Sequence, residues 1–292
     1  MKKVISILLA LMMVLALAAC AGKATTSPSP SEDASAPAAE TPVSEAPASE
    51  TPSEDDWAYI KAKGELVIGI TEYKPMNYYA EDGKLIGFDT EYAEAVCAKL
   101  GVTAKFVVIN WDTKEIELKS KNIDCIWNGL TVTEERRENM AFTDSYIANE
   151  QVLVVPAADA AKYTDKASLK GVSIVAESGS AGESAIAADL PDAAYTAVDS
   201  QSKALLEVKA GTAAAAVIDA TMASSMTGDG TDYADLVVIT SLNLTAEEYA
   251  IGFRLDSTAV AEFNKVTGEL LADGTLATIA DKYGLADRLM TK

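Results

Sequence analysis

Histidine is absent from the 292 residues of this chain. That removes the commonest general base and the commonest metal ligand near neutral pH. Cysteine is almost absent, with Cys20, Cys97 and Cys125 alone. Cys97 falls in a helical pattern and Cys125 in an apolar, strand-like run. Two buried free thiols are therefore expected, with a disulfide between them as the alternative outside the cytoplasm. No metal-ligand, triad or phosphate-loop spacing occurs, so neither a metal nor a cofactor is expected. Positive charge is scarce as well: 24 Lys and Arg face 44 Asp and Glu, for a formal charge of −20. A phosphate-binding surface needs the opposite sign, which argues against nucleic acid as a partner. Arginine is the scarcest cation, with four in all, and two of them are adjacent in "NGLTVTEERRE" (128–138).

The amino terminus, "MKKVISILLALMMVLALAAC", has a charged start at Lys2 and Lys3, then an apolar run from Val4 to about Leu17. That run is short of the ~20 residues of a membrane span and has the layout of a secretory signal. Leu17-Ala18-Ala19-Cys20 resembles a bacterial lipobox, which implies a signal peptide over 1–19 and lipidation of Cys20. Residues 20–56 read as a disordered linker. They hold six of the nine prolines and no aromatic residue, and cannot bury enough apolar surface to offset ordering. Loss of residues 1–19 removes two lysines and takes the formal charge from −20 to −22.

From Trp57 onward, apolar strand patterns alternate with helical ones. "GELVIGI" (64–70) reads as a buried strand. "GFDTEYAEAVCAKLG" (87–101) carries a helical stripe at Phe88, Tyr92, Val96 and Leu100, closing on Gly101. "TAKFVVIN" and "IDCIWNG" read as further strands. The pattern restarts near Val152 with "NEQVLVVP", "GVSIVAES", "AAYTAV" and "AAAAVID", separated by helices. This alternation predicts an α/β chain of two similar lobes with parallel sheets, any ligand lying between them near the carboxyl ends of strands. Two striped stretches at the carboxyl end are expected to fold back on the first lobe.

From Gly64 to Gly284 the chain resembles the extracellular solute-binding proteins that serve amino-acid ABC transporters, the polar amino-acid-binding family. The ordered set "GELVIGITEYKPM", "GKLIGFDTEYAEAVCAKLG", "LKSKNIDCIWNGLTVTEERRENMAFTDSY", "VAESGSAGES", "VIDATMA", "YAIGFR" and "ADGTLATIADKYG" carries the resemblance. It implies a two-lobed, type II periplasmic-binding-protein-like fold with a two-strand hinge. Lobe 1 would comprise residues 57–150 and 246–292, and lobe 2 residues 151–245.

A free amino acid presents a carboxylate and an ammonium together. Arginine's planar fork suits the first, a carboxylate the second. Thr133 can cap a short helix and place Arg136 near its amino end, with Arg137 turned ~100° away toward solvent. The resemblance makes Arg136 the carboxylate grip, with the main chain at Gly129 and Thr131 helping. Ser180 and Glu183 have capping-box spacing; the resemblance adds an anion contact at Ser180 and Ala181. Asp219 is either a turn former or, as the resemblance implies, the partner of the ammonium. Tyr73 and Trp111 are either plain core or aromatic walls of the site, and Asn128 bonds either ligand or hinge. Glu72 and Glu177 lie near the expected side-chain pocket, Glu72 taken as a site residue, and surface charge is the competing fate of both. No second arginine is near, so a neutral polar or basic amino acid is expected over an acidic one.

The expectation is thus a lipid-anchored, monomeric receptor outside the cytoplasm that passes its amino acid to an ABC-transporter permease. The alternative is a secreted cyclohexadienyl (prephenate or arogenate) dehydratase on the same fold, using Glu72 or Glu177 as acid. Cys20→Ser should free the protein from the membrane fraction without changing ligand affinity. Retention of that variant in membranes until detergent is added would refute the anchor.

Overall fold

The computed structural model of the chain describes residues 55–242 and 244–291. The signal, Cys20 and nearly all of the expected linker lie outside them. Its last two residues do not. Asp55 caps the helix Asp56–Lys63 by accepting from the N–H groups of Trp57 and Ala58. Asp56 is buried and pairs with the Arg254 guanidinium at 2.6 Å. The linker boundary at residue 56 is therefore corrected: of the acids that read as linker composition, Asp55 meets Thr258 and Asp56 meets Arg254.

One sheet runs in the order Thr103–Val108, Glu65–Ile70, Cys125–Ile126, Gly252–Arg254, Met140–Phe142. The first three strands are parallel, and Gly252–Arg254 is antiparallel to its neighbours. Every residue of Glu65–Ile70 after the first is buried, as a strand covered on both faces requires. Helix Phe88–Leu100 buries Phe88, Tyr92 and Val96 and stops at Gly101, whose φ is 73°. Against it pack the helices Ala259–Ala272 and Thr275–Lys282. The Tyr92 and Thr267 hydroxyls meet at 2.6 Å, and Lys282 pairs with Glu91 at 2.6 Å. Phe263 fills the space between them, edge-on to Trp57, Trp127 and Phe253. Cys97 and Cys125 are both buried and free, so no disulfide joins them.

The second sheet runs Leu236–Val238, Ile147–Pro156, Ala215–Asp219, Ser173–Glu177, Ala194–Val198. Its strand Ile147–Pro156 begins two residues before the segment that reads as a strand in sequence. Those extra residues belong to a second pairing, Ile147 with Tyr249 through Glu150 with Ala246. The antiparallel pair Ile147–Glu150 and Ala246–Tyr249 is the two-strand hinge between two α/β lobes. "IDCIWNG" contributes only Cys125–Ile126 to a ladder, because the chain beyond leaves the sheet to form the cleft wall.

Gly87 holds a close approach. Its φ is 131°, and a Cβ there would lie 2.2 Å from the Met76 carbonyl oxygen. Gly87→Ala should lower the urea midpoint by the equivalent of about 3 kcal/mol. Gly101→Ala, where a Cβ meets open space, should lose only about 1 kcal/mol. Equal losses at the two positions would show that the contact with Met76 is not limiting.

Candidate functional site

The parallel strands of both sheets end at one small cavity between the lobes. From the first lobe come Thr71, Tyr73, Trp111, Asn128, Gly129, Thr131 and Arg136; from the second come Glu177, Ser180, Ala181, Gln201 and Asp219. Nine of the ten ligand-binding residues expected from the sequence therefore meet here. The tenth, Glu72, is exposed and does not line the cavity. The chain is extended at that point, so Thr71 and Tyr73 face inward and the residue between them faces out. Glu177 takes the opposite course. It is 3% exposed, and the surface fate weighed for it does not hold.

Arg136 is placed by local structure. Thr133 Oγ1 accepts from its N–H at 3.1 Å and starts the helix Glu134–Arg137. Its guanidinium donates to the Thr131 carbonyl at 2.7 Å and, across the cleft, to the Gly179 carbonyl at 3.1 Å. Arg137 lies outside, stacked on Phe142 with half of its side chain exposed. Lys114, which sequence reasoning missed, is also buried. It donates to the Trp111 carbonyl at 3.2 Å and to the same Gly179 carbonyl at 2.9 Å. Burial, and then the Arg136 charge, pull its pKa down to about 8. Nothing in the local pattern of "KEIELKSKN" marks this lysine; its position beside Trp111 is the only signal.

Two expected main-chain and amide contacts change character. The Gly129 N–H donates to buried Asp89 at 2.8 Å and so is already engaged within the lobe. A side chain there would collide with Tyr73, 2.7 Å from the Cβ position. Asn128 accepts from the Thr71 N–H and hydroxyl and donates to the Thr71 carbonyl and Asn77. With its amide fully occupied, it shapes the wall by holding Thr71.

On the second lobe, Ser180 Oγ accepts from the Glu183 N–H at 3.2 Å and starts helix Ala181–Asp189. Glu183 reaches back to the Gly179 N–H at 2.7 Å, one residue before the cap. Asp219 makes no cap bond, although a helix follows it. Its Oδ1 accepts from Asn149 at 3.0 Å and Gln151 at 2.6 Å, and its Oδ2 from Gln201. Asn149 and Gln151 also donate to Glu247, on the other hinge strand. Asn149, Gln151, Gln201 and Glu247 were all missed. The amides are ordinary polar residues in sequence, and only the fold converges them on one carboxylate.

Two hinged lobes closing on a cavity with an arginine on one wall and a fixed carboxylate on the other define a binding protein for a small charged solute. The chain belongs to the bacterial extracellular solute-binding proteins, family 3, whose family model matches residues 66–286. It is 31% identical over 224 residues to the L-arginine-binding protein of Pseudomonas aeruginosa, covering 74% of this chain and 86% of that one. It is 24% identical over 230 residues to the L-cystine-binding protein TcyJ of Escherichia coli K12, covering 78% and 85%. Among solved structures, it resembles a substrate-binding protein of an ABC uptake transporter from Streptococcus pneumoniae with bound histidine. There the TM-score is 0.75 and the identity 31%, covering 82% of this chain and 100% of that one.

Burial leaves several acids around the cleft with raised pKa values. Glu177 is pushed up to about 8 by burial and then by Asp219, and Asp89 to about 7 by burial. Glu247 is raised by burial and by Asp219 beside it. A carboxyl raised from its ordinary 4.5 holds its proton longer in the folded chain than in the unfolded one. Its stabilisation is present below the unfolded pKa and is lost as pH rises through the folded one. Thermal stability without ligand should therefore fall between about pH 5 and about pH 8. Glu247→Gln, which keeps an acceptor for Asn149 and Gln151, should flatten that fall; an unchanged slope would show that Glu247 ionises freely.

Proposed function

We propose that this protein binds a free amino acid, neutral polar or basic in preference to acidic, between its lobes and delivers it to an ABC-transporter permease. It does so outside the cytoplasm as a monomer held to the membrane by lipid on Cys20, and it breaks no bond. The observation that carries this reading is the pairing of Arg136 and Asp219 on opposite walls of one cavity. Arg136 takes the carboxylate, helped by the start of helix Ala181–Asp189; Asp219 takes the ammonium. Closure needs a ligand with differential affinity for the closed state, and one molecule bridging both walls supplies it. Charge-assisted bonds contribute ~1.5–3 kcal/mol each, and micromolar binding requires about 8 kcal/mol. A few such bonds with contact to Tyr73 and Trp111 suffice.

One observation favours a second reading. A buried, high-pKa Glu177 on the cavity wall is what a general acid in a cyclohexadienyl dehydratase would need. Product formed from prephenate or arogenate would establish that activity.

The test is calorimetry of the ligand-stripped protein against the proteinogenic amino acids and cystine. Glutamate should bind at least about tenfold more weakly than the best ligand, because among the described residues no cation besides Arg136 lines the cavity. Arg136→Lys should weaken the best ligand by about tenfold or more, since a point charge cannot make two parallel bonds, whereas Arg137→Lys should change little. Equal losses in the two variants, or tight binding of glutamate alone, would refute the assignment.

A further inference from the structure

With the carboxylate of an amino acid at Arg136 and its ammonium at Asp219, one charged group of the cavity remains unassigned. Glu177 ends the strand Ser173–Glu177 and lines the cavity beside Ser180 and Asp219. It is 3% exposed, and its Oε1 has no hydrogen-bond partner among the described residues. The charged groups felt by its carboxylate are Asp219, Lys114 and Arg136. Asp219 repels it. Arg136 is committed to the Thr131 and Gly179 carbonyls, and Lys114 to those of Trp111 and Gly179. Neither cation forms an ion pair with Glu177 within 4.0 Å among the described residues.

A buried carboxylate without a partner is unfavourable and must be protonated or meet a cation. Asp219, by contrast, is held by three amide donors and keeps acceptor capacity for the ammonium common to every amino acid. Glu177 is thus free to discriminate among side chains. The acid expected from the first lobe, Glu72, faces solvent, so the acid that faces the cavity comes from the second lobe instead.

We propose that Glu177 is the specificity-determining residue of the cleft, pairing with a guanidinium or ammonium at the end of the ligand's side chain and so selecting basic amino acids over neutral ones. This rests on the cleft taking a free amino acid. It extends the bridging of the lobes: the first lobe holds the carboxylate of the ligand, and the second holds both of its cationic ends.

The experiment compares arginine with citrulline, which keeps the shape and exchanges the guanidinium for a neutral urea. Calorimetry on the full protein should show arginine bound at least about tenfold more tightly, the gap expected of one charge-assisted pair. In Glu177→Gln, the preference for arginine should collapse until the two ligands lie within about threefold, the ratio being the readout; Glu177→Asp should keep part of the preference. An unchanged ratio in Glu177→Gln, as for a carboxyl bonded to buried water, would overturn the proposal. So would a parallel loss of both ligands, as for a merely structural residue. If neutral amino acids bind and basic ones do not, this inference fails while the proposed function stands. If no amino acid binds the wild-type protein, the proposed function fails.

Discussion

Arg136 and Lys114, two buried cations of the first lobe, end on one backbone oxygen of the second, the Gly179 carbonyl. Like charges so placed, away from water, are tolerated only beside acceptors and compensating charge. The rest of the cleft meets that demand. Acceptors come from the carbonyls of Thr131 and Trp111. Compensating charge comes from the facing wall, where the Asp219 carboxylate is itself buried. Gly179 has a φ of 69°, and a Cβ there would crowd Asp112 at 3.0 Å.

The walls therefore carry opposite charge, and this makes the cleft a recognition device as well as a lobe contact. A molecule with an anionic and a cationic end satisfies both walls only when they are close together, so binding and closure are one event. The hinge is drawn into the same network. Asn149 and Gln151 on one hinge strand bond both Asp219 in the cleft and Glu247 on the partner strand. Asp219 and the segment that joins the lobes thus share the same amide donors.

The parts of the site that were legible in sequence are those set by neighbours in the chain. Thr133 three residues before Arg136, and Ser180 three before Glu183, are spacings whose hydrogen bonds form within one turn. The stripe of helix Phe88–Leu100 and its Gly101 stop are equally local. Glu72 and Glu177 show where this ends. Both are single acids at the ends of apolar strands, indistinguishable in pattern. Which one enters the cleft depends on how each strand end meets the opposite lobe. Lys114, Gln201 and Glu247 failed for the same reason: partners that bury them, the Gly179 carbonyl, Asp219 and Asn149, lie far along the chain.

The sequence alone determined an α/β chain of two lobes, because hydrophobic periodicity reports which faces must be covered. It also determined that histidine has no place in the site, since the residue is not there. The family resemblance, carried by motifs in order, pointed to Arg136 and Asp219. Tertiary structure alone decided which charges are buried together, and hence which acids are engaged and which is left to meet a ligand. That outcome depends on dielectric surroundings and on partners far apart in the chain, 98 residues for Asn149 and Glu247 and 198 for Asp56 and Arg254. No local pattern encodes such a distance.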